Sequence, residues 1–406
     1  MSDWSEEIGF LLRKVGKTAE SAARVVASAF DDDAHEIICY RGYGNSQRAW
    51  VHGRVVEKRN IGSSTDSDSS LLNLLNTYRR ADSDPLGFAP LRIEYAGTTV
   101  SMNADDEGFF GDWISIETSP ANDKEWQEFS ATLTSPLPDG SDPVKGTGEI
   151  LNLLPTAKFG VISDIDDTVI QSRVANFLQA ARTVMLGNAR TRHPFPGVAA
   201  FYRALRDGSE GKSENPIFYV SSSPWNIYDV IGEFMDLQNI PKGPLLLRDW
   251  DIGISALASA RHFEHKGVAI RNILQLYPQL PFILIGDSSQ HDPEIYRQIV
   301  GEFPGRIVAV YIRDVTRSVE RSASVKLLAN EILAANSTLI LSEDTLGAAR
   351  HAAEHGWISE KMLPEIGEEK KADEGTDGRK VETPGGGEPV TTCTATVVGS
   401  GPVAEP

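Results

Sequence analysis

The sequence predicts an α/β protein, a doubly wound and mostly parallel sheet preceded by a β-rich, sandwich-like domain and an N-terminal helix. Three observations predict it. From Lys158 to about Thr316, apolar runs of strand length alternate with segments of helical period, the βαβ signature of a parallel sheet with covered faces. From Ile37 to Leu151, short runs rich in Val, Ile, Tyr and Thr are broken by Gly, Asn and Asp, the pattern of a β-sandwich or barrel. Near the start, Trp4, Ile8, Leu11, Leu12 and Val15 recur at spacings of three and four, the stripe of an amphipathic helix. The boundaries expected are 1–33 for the helix, 34–155 for the β-rich domain, 156–320 for the α/β domain, 321–363 for C-terminal helices and 364–406 for a disordered tail.

Arg13, Lys14 and Lys17 lie beside the N-terminal stripe. Such a helix either packs on the next domain or lies on a membrane surface. In the β-rich region the strand candidates include Glu36–Tyr40, Ala49–Val56, Leu91–Tyr95, Thr98–Met102 and Trp113–Thr118, with a helical interruption around Ser70 to Arg80. No catalytic constellation appears there, so it reads as a structural or substrate-presenting module.

In the α/β region the runs Phe159–Ser163, Ile217–Ser221, Leu245–Leu247, Phe282–Gly286 and Ile307–Ile312 read as buried parallel strands. Val198–Arg206 and Lys266–Tyr277 read as helices between them. Ligands of such sheets bind beyond the carboxyl ends of the strands. The polar residues that follow each run are therefore the candidates for chemistry. Ser318 to Leu363 reads as helices with short connections, and beyond Pro364 the composition is too polar to bury a core.

Composition narrows the function. The 406 residues carry a net charge of −18, which excludes nonspecific nucleic-acid binding through basic patches. An acidic protein that acts on an anion needs a metal ion or a few placed cations. Cys39 and Cys393 are far apart and read as free thiols of a reducing compartment. No run approaches the ~18 apolar residues of a membrane span. The start, Met-Ser-Asp-Trp-Ser-Glu-Glu, lacks the pattern of a secretory signal. A cytoplasmic location is expected, with peripheral membrane contact if the N-terminal helix lies on lipid.

The first α/β strand ends in Ser163-Asp164-Ile165-Asp166-Asp167-Thr168. Crowded carboxylates repel one another, and a hard divalent cation with oxygen ligands relieves the repulsion. Alone, the pair reads equally as a turn. The next strand ends in Ser221-Ser222-Ser223-Pro224-Trp225. That is either a helix start capped by Ser223, or an anion site built from the same free amides and the Ser221 hydroxyl. Lys266, expected to open a helix, is the one cation near otherwise acidic candidates; His265 beside it reads as a supporting or surface residue. Gly286-Asp287 closes a further strand, and Asp292 before Pro293 is a helix cap, a metal ligand or a supporting group. Each piece is ambiguous alone. Their order on successive strand ends is not.

That set resembles the four motifs of haloacid-dehalogenase-type phosphatases. More narrowly, Ser163-Asp-Ile-Asp-Asp-Thr, His193-Pro-Phe-Pro-Gly, Tyr219-Val-Ser-Ser-Ser-Pro-Trp, Leu247-Arg-Asp-Trp, His265-Lys266 and Ile285-Gly-Asp-Ser-Ser-Gln-His-Asp-Pro-Glu-Ile-Tyr are similar to blocks of the actin-patch-associated phosphatidate phosphatase family, itself related to the lipin catalytic domain. The resemblance runs from about Lys158 to Asp314. Tyr40-Arg-Gly-Tyr-Gly and Gly53-Arg-Val resemble the start of that family's β-rich region.

The resemblance implies a haloacid-dehalogenase-like Rossmannoid fold and Mg²⁺-dependent hydrolysis of phosphatidate to diacylglycerol and phosphate. It implies Asp164 as nucleophile, forming an aspartyl-phosphate, and Asp166 as general acid–base. Mg²⁺ is expected on Asp164, the Asp166 carbonyl and Asp287, with Asp292 ligating through water or orienting Lys266. Lys266, Ser221 and Ser222 are expected on the phosphoryl oxygens, and Thr168 shapes the phosphate-binding loop. Asp167 receives no catalytic step. Gln171 to Pro194 has room only for a small cap. The alternatives are a soluble phosphomonoesterase and a noncatalytic phosphatidate-binding module.

Overall fold

Alternating burial builds the first strands. In Pro90–Tyr95 the side chains of Leu91, Ile93 and Tyr95 are buried while Arg92 and Glu94 face water, the period of two that a half-covered sheet requires. The computed structural model describes residues 35–57, 84–117, 123–135, 143–169, 195–248, 258–316, 318–335, 337–376 and 396–398. The expected N-terminal helix, the helical interruption around Ser70 to Arg80 and the cap segment Gln171 to Pro194 fall outside these residues. The chain divides into two units, 1–68 with 79–153, and 69–78 with 154–406.

The first unit holds β1 (His35–Cys39), β2 (Gly42–Gly44), β3 (Arg48–Glu57), β4 (Pro90–Tyr95), β5 (Thr98–Asn103), β6 (Phe109–Ser115), β7 (Trp126–Leu133) and β8 (Lys145–Asn152). They form one eight-stranded sheet in the order β1-β3-β2-β8-β7-β4-β5, with β6 on β3. All pairs are antiparallel except β2 with β8. The hydrogen bonding is thus continuous through a single mixed sheet. Ala96 and Gly97, both at positive φ, turn β4 into β5 with Tyr95 opposite Thr98, the two-residue hairpin that matches strand twist. Gly53 is required by close approach, since a Cβ there would lie 2.3 Å from the Ile38 carbonyl oxygen. Val51, Leu91, Ile93, Phe129, Leu133 and Ile150 share one core. Cys39 is a free thiol, and burial pushes it up to about 12, which keeps it protonated and inert.

The second unit builds its sheet from β9 (Gly160–Asp164), β10 (Ile217–Pro224), β11 (Leu245–Arg248), β12 (Phe282–Asp287), β13 (Ile307–Arg313), β14 (Thr338–Ser342) and β15 (Thr396–Val398). The order is β11-β10-β9-β12-β13-β14-β15. All pairs are parallel except β14 with β15. The five expected strands all form, as near-continuous apolar runs buried on both faces. Chain order reverses between β9 and β12, and ligands of open parallel sheets bind beyond the strand ends at such a reversal. The helices are α1 (Val198–Asp207), α2 (Tyr228–Leu237), α3 (Ala258–Leu276), α4 (Asp292–Glu302), α5 (Val319–Ala334), α6 (Thr345–Glu354) and α7 (Leu363–Thr376).

Two boundaries differ from expectation. The stretch expected to be purely helical contains β14, whose Leu339, Ile340 and Leu341 are buried in the sheet. The expected tail begins as helix α7. Two of its acidic side chains are engaged: Glu369 and Asp373 accept from the backbone amides of Ala200 and Gly197 at the start of α1. Glu369 also pairs with Arg203 at 2.6 Å, and Lys370 with Asp344 at 2.6 Å. Carboxylates at a helix N-terminus satisfy its free donors and its dipole.

Candidate active site

β9 and β12 lie side by side, so their final residues Asp164 and Asp287 reach the same edge of the sheet. Asp292 opens α4 directly beyond β12. It packs against the strand because residue 286 is glycine: a Cβ there would lie 2.5 Å from Asp292 Oδ2. Asp292 Oδ2 accepts from the Asp287 amide at 3.2 Å. Carboxylate oxygens of Asp164, Asp287 and Asp292 all fall within 4.8 Å of one another.

Lys266 enters this cluster from the middle of α3. Its Nζ lies 2.7 Å from Asp292 Oδ1 and 2.8 Å from Asp164 Oδ1. The expectation that Lys266 opens a helix is corrected, because α3 begins at Ala258. The four side chains are buried, with 0–3% of each residue exposed. Three carboxylates against one ammonium leave excess negative charge in a dry place, which is costly. The contact to Asp164 Oδ1 is close enough for an ion pair but lies off a hydrogen-bond direction. That oxygen and Asp287 Oδ2 have no hydrogen-bond donor. Asp287 Oδ2, without a donor, and an all-oxygen set of three clustered carboxylates against one ammonium fit a hard divalent cation.

The electrostatics follow from this crowding. Burial pushes the Asp164 carboxyl well above its usual range; Lys266 opposes that, and Asp292, Asp166 and Asp287 add to it. Burial, with Asp292, pushes Asp287 up to about 6, against the hydrogen bonds from Ser289. Burial disfavours the Lys266 charge, but Asp164 and Asp292 outweigh it and hold the ammonium protonated above the ordinary lysine range.

Asp166 stands apart from this cluster, half-buried. Its Oδ2 accepts from Ser221 Oγ at 2.7 Å and Ser223 Oγ at 3.2 Å. Ser221 Oγ in turn accepts from the Ser223 amide at 2.9 Å. This corrects the capping role expected of Ser223. β10 runs on to Pro224, a 3-10 turn follows at Trp225–Ile227, and α2 starts only at Tyr228. Ser223 spends its hydroxyl on Asp166 instead. Ser222 makes no side-chain hydrogen bond among the described residues. Thr168 Oγ1 donates to Asp164 Oδ2 at 3.3 Å. Asp167 sits at φ 59°, a left-handed position that Asp tolerates better than most residues, and lets the loop fold back so that the Val169 amide reaches the Ile165 carbonyl at 2.9 Å.

Several participants are visible only in three dimensions. Tyr202 OH lies 2.6 Å from Ser163 Oγ, bracing the strand below Asp164. Ser289 donates to Asp287 Oδ1 through both its amide and its hydroxyl, at 2.5 Å each. Gln290 contacts Lys266 and the Asp166 carbonyl. The Gly286-to-Glu294 sequence carries the signal of a strand-end loop but does not say which of its polar residues turn inward.

Comparison with known proteins covers the same ground. Residues 159–314 match the model of the family described as phosphatidate phosphatase APP1, catalytic domain. "Phosphatidate phosphatase APP1" of Saccharomyces cerevisiae is 29% identical over 224 residues, 55% of this chain and 36% of that protein. An uncharacterised protein of Schizosaccharomyces pombe is 29% identical over 160 residues, 38% of this chain and 25% of that one. The chain thus spans about a third or less of the length of these relatives. Among solved structures, the carbohydrate acetylesterase XAC1771 from Xanthomonas citri shares 11% identity, with 71% of this chain and 72% of that chain covered and a TM-score of 0.22. A likeness at that score carries no argument. Residues 159–314 are thus similar to the catalytic domain of the phosphatidate phosphatase APP1 family.

Proposed function

We propose that this chain is a Mg²⁺-dependent phosphatase of the haloacid-dehalogenase type that hydrolyses phosphatidate to diacylglycerol and phosphate through an aspartyl-phosphate on Asp164. The observation that carries this reading is the buried Asp164–Lys266–Asp292–Asp287 cluster at the strand ends of the parallel sheet, in which Asp287 Oδ2 has no hydrogen-bond donor.

Asp164 attacks phosphorus, and the ester P–O bond breaks. Asp166 gives its proton to the leaving alkoxide oxygen. Asp166 then takes a proton from water as that water attacks phosphorus, and the bond to Asp164 breaks to release phosphate. The Ser221 and Ser223 hydroxyls hold Asp166 in place for both transfers. Lys266 neutralises phosphoryl oxygens and the Asp164 carboxylate together, where most of the barrier to phosphoryl transfer is lowered. Ser221 and Thr168 complete the phosphate cradle. Asp164, Asp287 and Asp292, with the Asp166 carbonyl, would hold Mg²⁺, which supplies further charge neutralisation at the phosphoryl group. Burial disfavours an ionised Asp164 and Lys266 opposes that; a cation held by these residues would further favour the carboxylate that the attack needs.

The phospholipid substrate is proposed from the family match. Among the described residues no helix is long and apolar enough to cross a membrane, so the lipid would be met at a bilayer surface. The test is phosphate release from phosphatidate in mixed micelles, with and without Mg²⁺. Asp164→Asn is expected to lower turnover by about three orders of magnitude or more. Wild-type turnover in that variant would overturn the nucleophile. Cleavage of soluble phosphomonoesters alone would remove the lipid and leave the chemistry.

A further inference from the structure

Gln290 lies in the loop between Asp287 and Asp292, and four of its groups are engaged. Its backbone amide donates to Asp287 Oδ1 at 3.1 Å. Its side-chain Oε1 accepts from Lys266 Nζ at 3.3 Å, and its Nε2 donates to the Asp166 carbonyl at 3.4 Å. Its own carbonyl accepts from Arg321 Nη2 at 2.7 Å. One residue therefore touches the lysine, the strand-end carboxylate and the nucleophile loop.

We infer that Gln290 is a positioning residue of this site and that Arg321 holds it there. An ammonium has three donors, and Lys266 faces three acceptor groups: Asp164, Asp292 and Gln290. The amide completes that shell without adding a fourth negative charge. Only an amide also returns a donor to the Asp166 carbonyl; a carboxylate lacks the donor, and an aliphatic chain lacks both groups. The carbonyl has two lone pairs, so its contact with Gln290 leaves one for a cation.

Arg321 stands outside the segment that matches the family model. It donates through Nε to the Ser288 carbonyl at 2.7 Å and forks onto both carboxylate oxygens of Glu294. Arg271 offers a matched contrast. It forks in the same way onto Glu302, joining α3 to α4, but among the described residues it donates to no loop carbonyl. Arg321 differs in that two of its donors are spent on backbone oxygens of the loop between the site carboxylates. Arg side chains are suited to such planar, multi-point clamping.

The inference rests on Asp164 and Lys266 being the catalytic pair, and its test separates the two. Turnover of p-nitrophenyl phosphate with Mg²⁺ is measured for the full chain carrying Gln290→Leu, Arg321→Gln, both, and Arg271→Gln. Mg²⁺ binding without substrate is measured by calorimetry, and folding by thermal unfolding. Gln290→Leu is expected to lower kcat about tenfold or more with KM within about threefold. Arg321→Gln is expected to lower kcat likewise and weaken Mg²⁺ binding about tenfold. The double variant should fall no more than about twofold below Gln290→Leu, because the two act through one contact. Arg271→Gln should match wild type. Wild-type kcat in Gln290→Leu overturns the proposal, and multiplying losses in the double variant overturn the link to Arg321. If Arg321→Gln does not fold, Gln290→Leu, a half-buried loop position, still decides. If the wild type shows no turnover but Arg321→Gln still weakens Mg²⁺ binding, the clamp stands and the phosphatase reading falls; unchanged Mg²⁺ binding in that case overturns the clamp.

Discussion

The two units bury polar groups in opposite ways. In the first, the buried polar residues among those described are His52, Thr132 and Asn152. Burial lowers His52 to about 4, so that interior is uncharged at neutral pH, and Asn152 is answered by the Tyr95 hydroxyl at 3.2 Å. In the second, Asp164, Lys266, Asp287 and Asp292 are buried together, with Asp287 Oδ2 lacking a donor. One interior is arranged for stability. The other holds a charge imbalance that stability alone does not explain and that the proposed binding and chemistry would use. The contrast is useful because each side of it can be broken separately.

The largest effect is expected from Lys266→Ala. It removes the ammonium that faces Asp164 and Asp292. Breaking a buried ion pair from one side typically costs about 3–5 kcal/mol. Denaturant unfolding of the full chain without divalent cation should show that loss, together with abolished turnover. Added Mg²⁺ should recover part of the stability, since a ligand of the folded state stabilises by mass action. Unchanged stability without cation would mean that the carboxylates are neutral in the fold and that the two interiors differ less than their geometry suggests.

The same contrast separates what is legible in the sequence from what is not. Asp164, Ser221 and Asp287 are readable because parallel strands buried on both faces appear as apolar runs and mark the polar residues at their ends. The strand order that brings β9 beside β12 is less accessible, yet the sequence order of the motifs suffices to place their residues at one edge. Lys266 is readable as a cation but not as a mid-helix residue, because nothing local reveals that α3 begins at Ala258. Thr338–Ser342 escapes as a strand because it is a short apolar run between two helical segments, and such runs have no distinguishing period. The start of α7 reads as tail because its carboxylates are compensated by Arg203 and by the amides of α1, more than a hundred residues away in sequence. Gln290, Ser223 and Arg321 are common polar types in polar surroundings, and only geometry singles them out.

The next effect belongs to the first unit. His52 Nε2 lies 3.3 Å from the Arg41 carbonyl, and burial lowers its pKa from 6.5 to about 4. Between those values the unfolded chain binds a proton that the folded one refuses. Stability from this group is therefore complete above about pH 6.5 and is lost as pH falls toward 4, on the order of 3 kcal/mol in all. Hydrogen exchange of the β3 amides should show protection falling across that window. His52→Gln should flatten the dependence. An unchanged slope would assign the acid sensitivity elsewhere.

The smallest effect is the most discriminating, because its sign depends on the cation. Asp287 is pushed up to about 6, so its ionised form is disfavoured in the fold. The penalty is fully present above about pH 6 and vanishes as pH falls below the ordinary carboxylate value of 3.8. Asp287→Asn removes the charge. The Asn Oδ1 still accepts from Ser289 and Gln290, as Asp287 Oδ1 does, and the amide nitrogen replaces an oxygen that has no donor. At pH 8 in EDTA the variant should be more stable than wild type, by on the order of 2 kcal/mol. In Mg²⁺ the ranking should reverse. Wild type gains about 2.7 kcal/mol at a cation concentration a hundredfold above Kd, while the variant has lost a ligand and gains little. Thermal midpoints of both proteins in both buffers read the crossing directly. If the variant is the less stable protein in EDTA, Asp287 is not under strain, and the second unit's interior is as well compensated as the first.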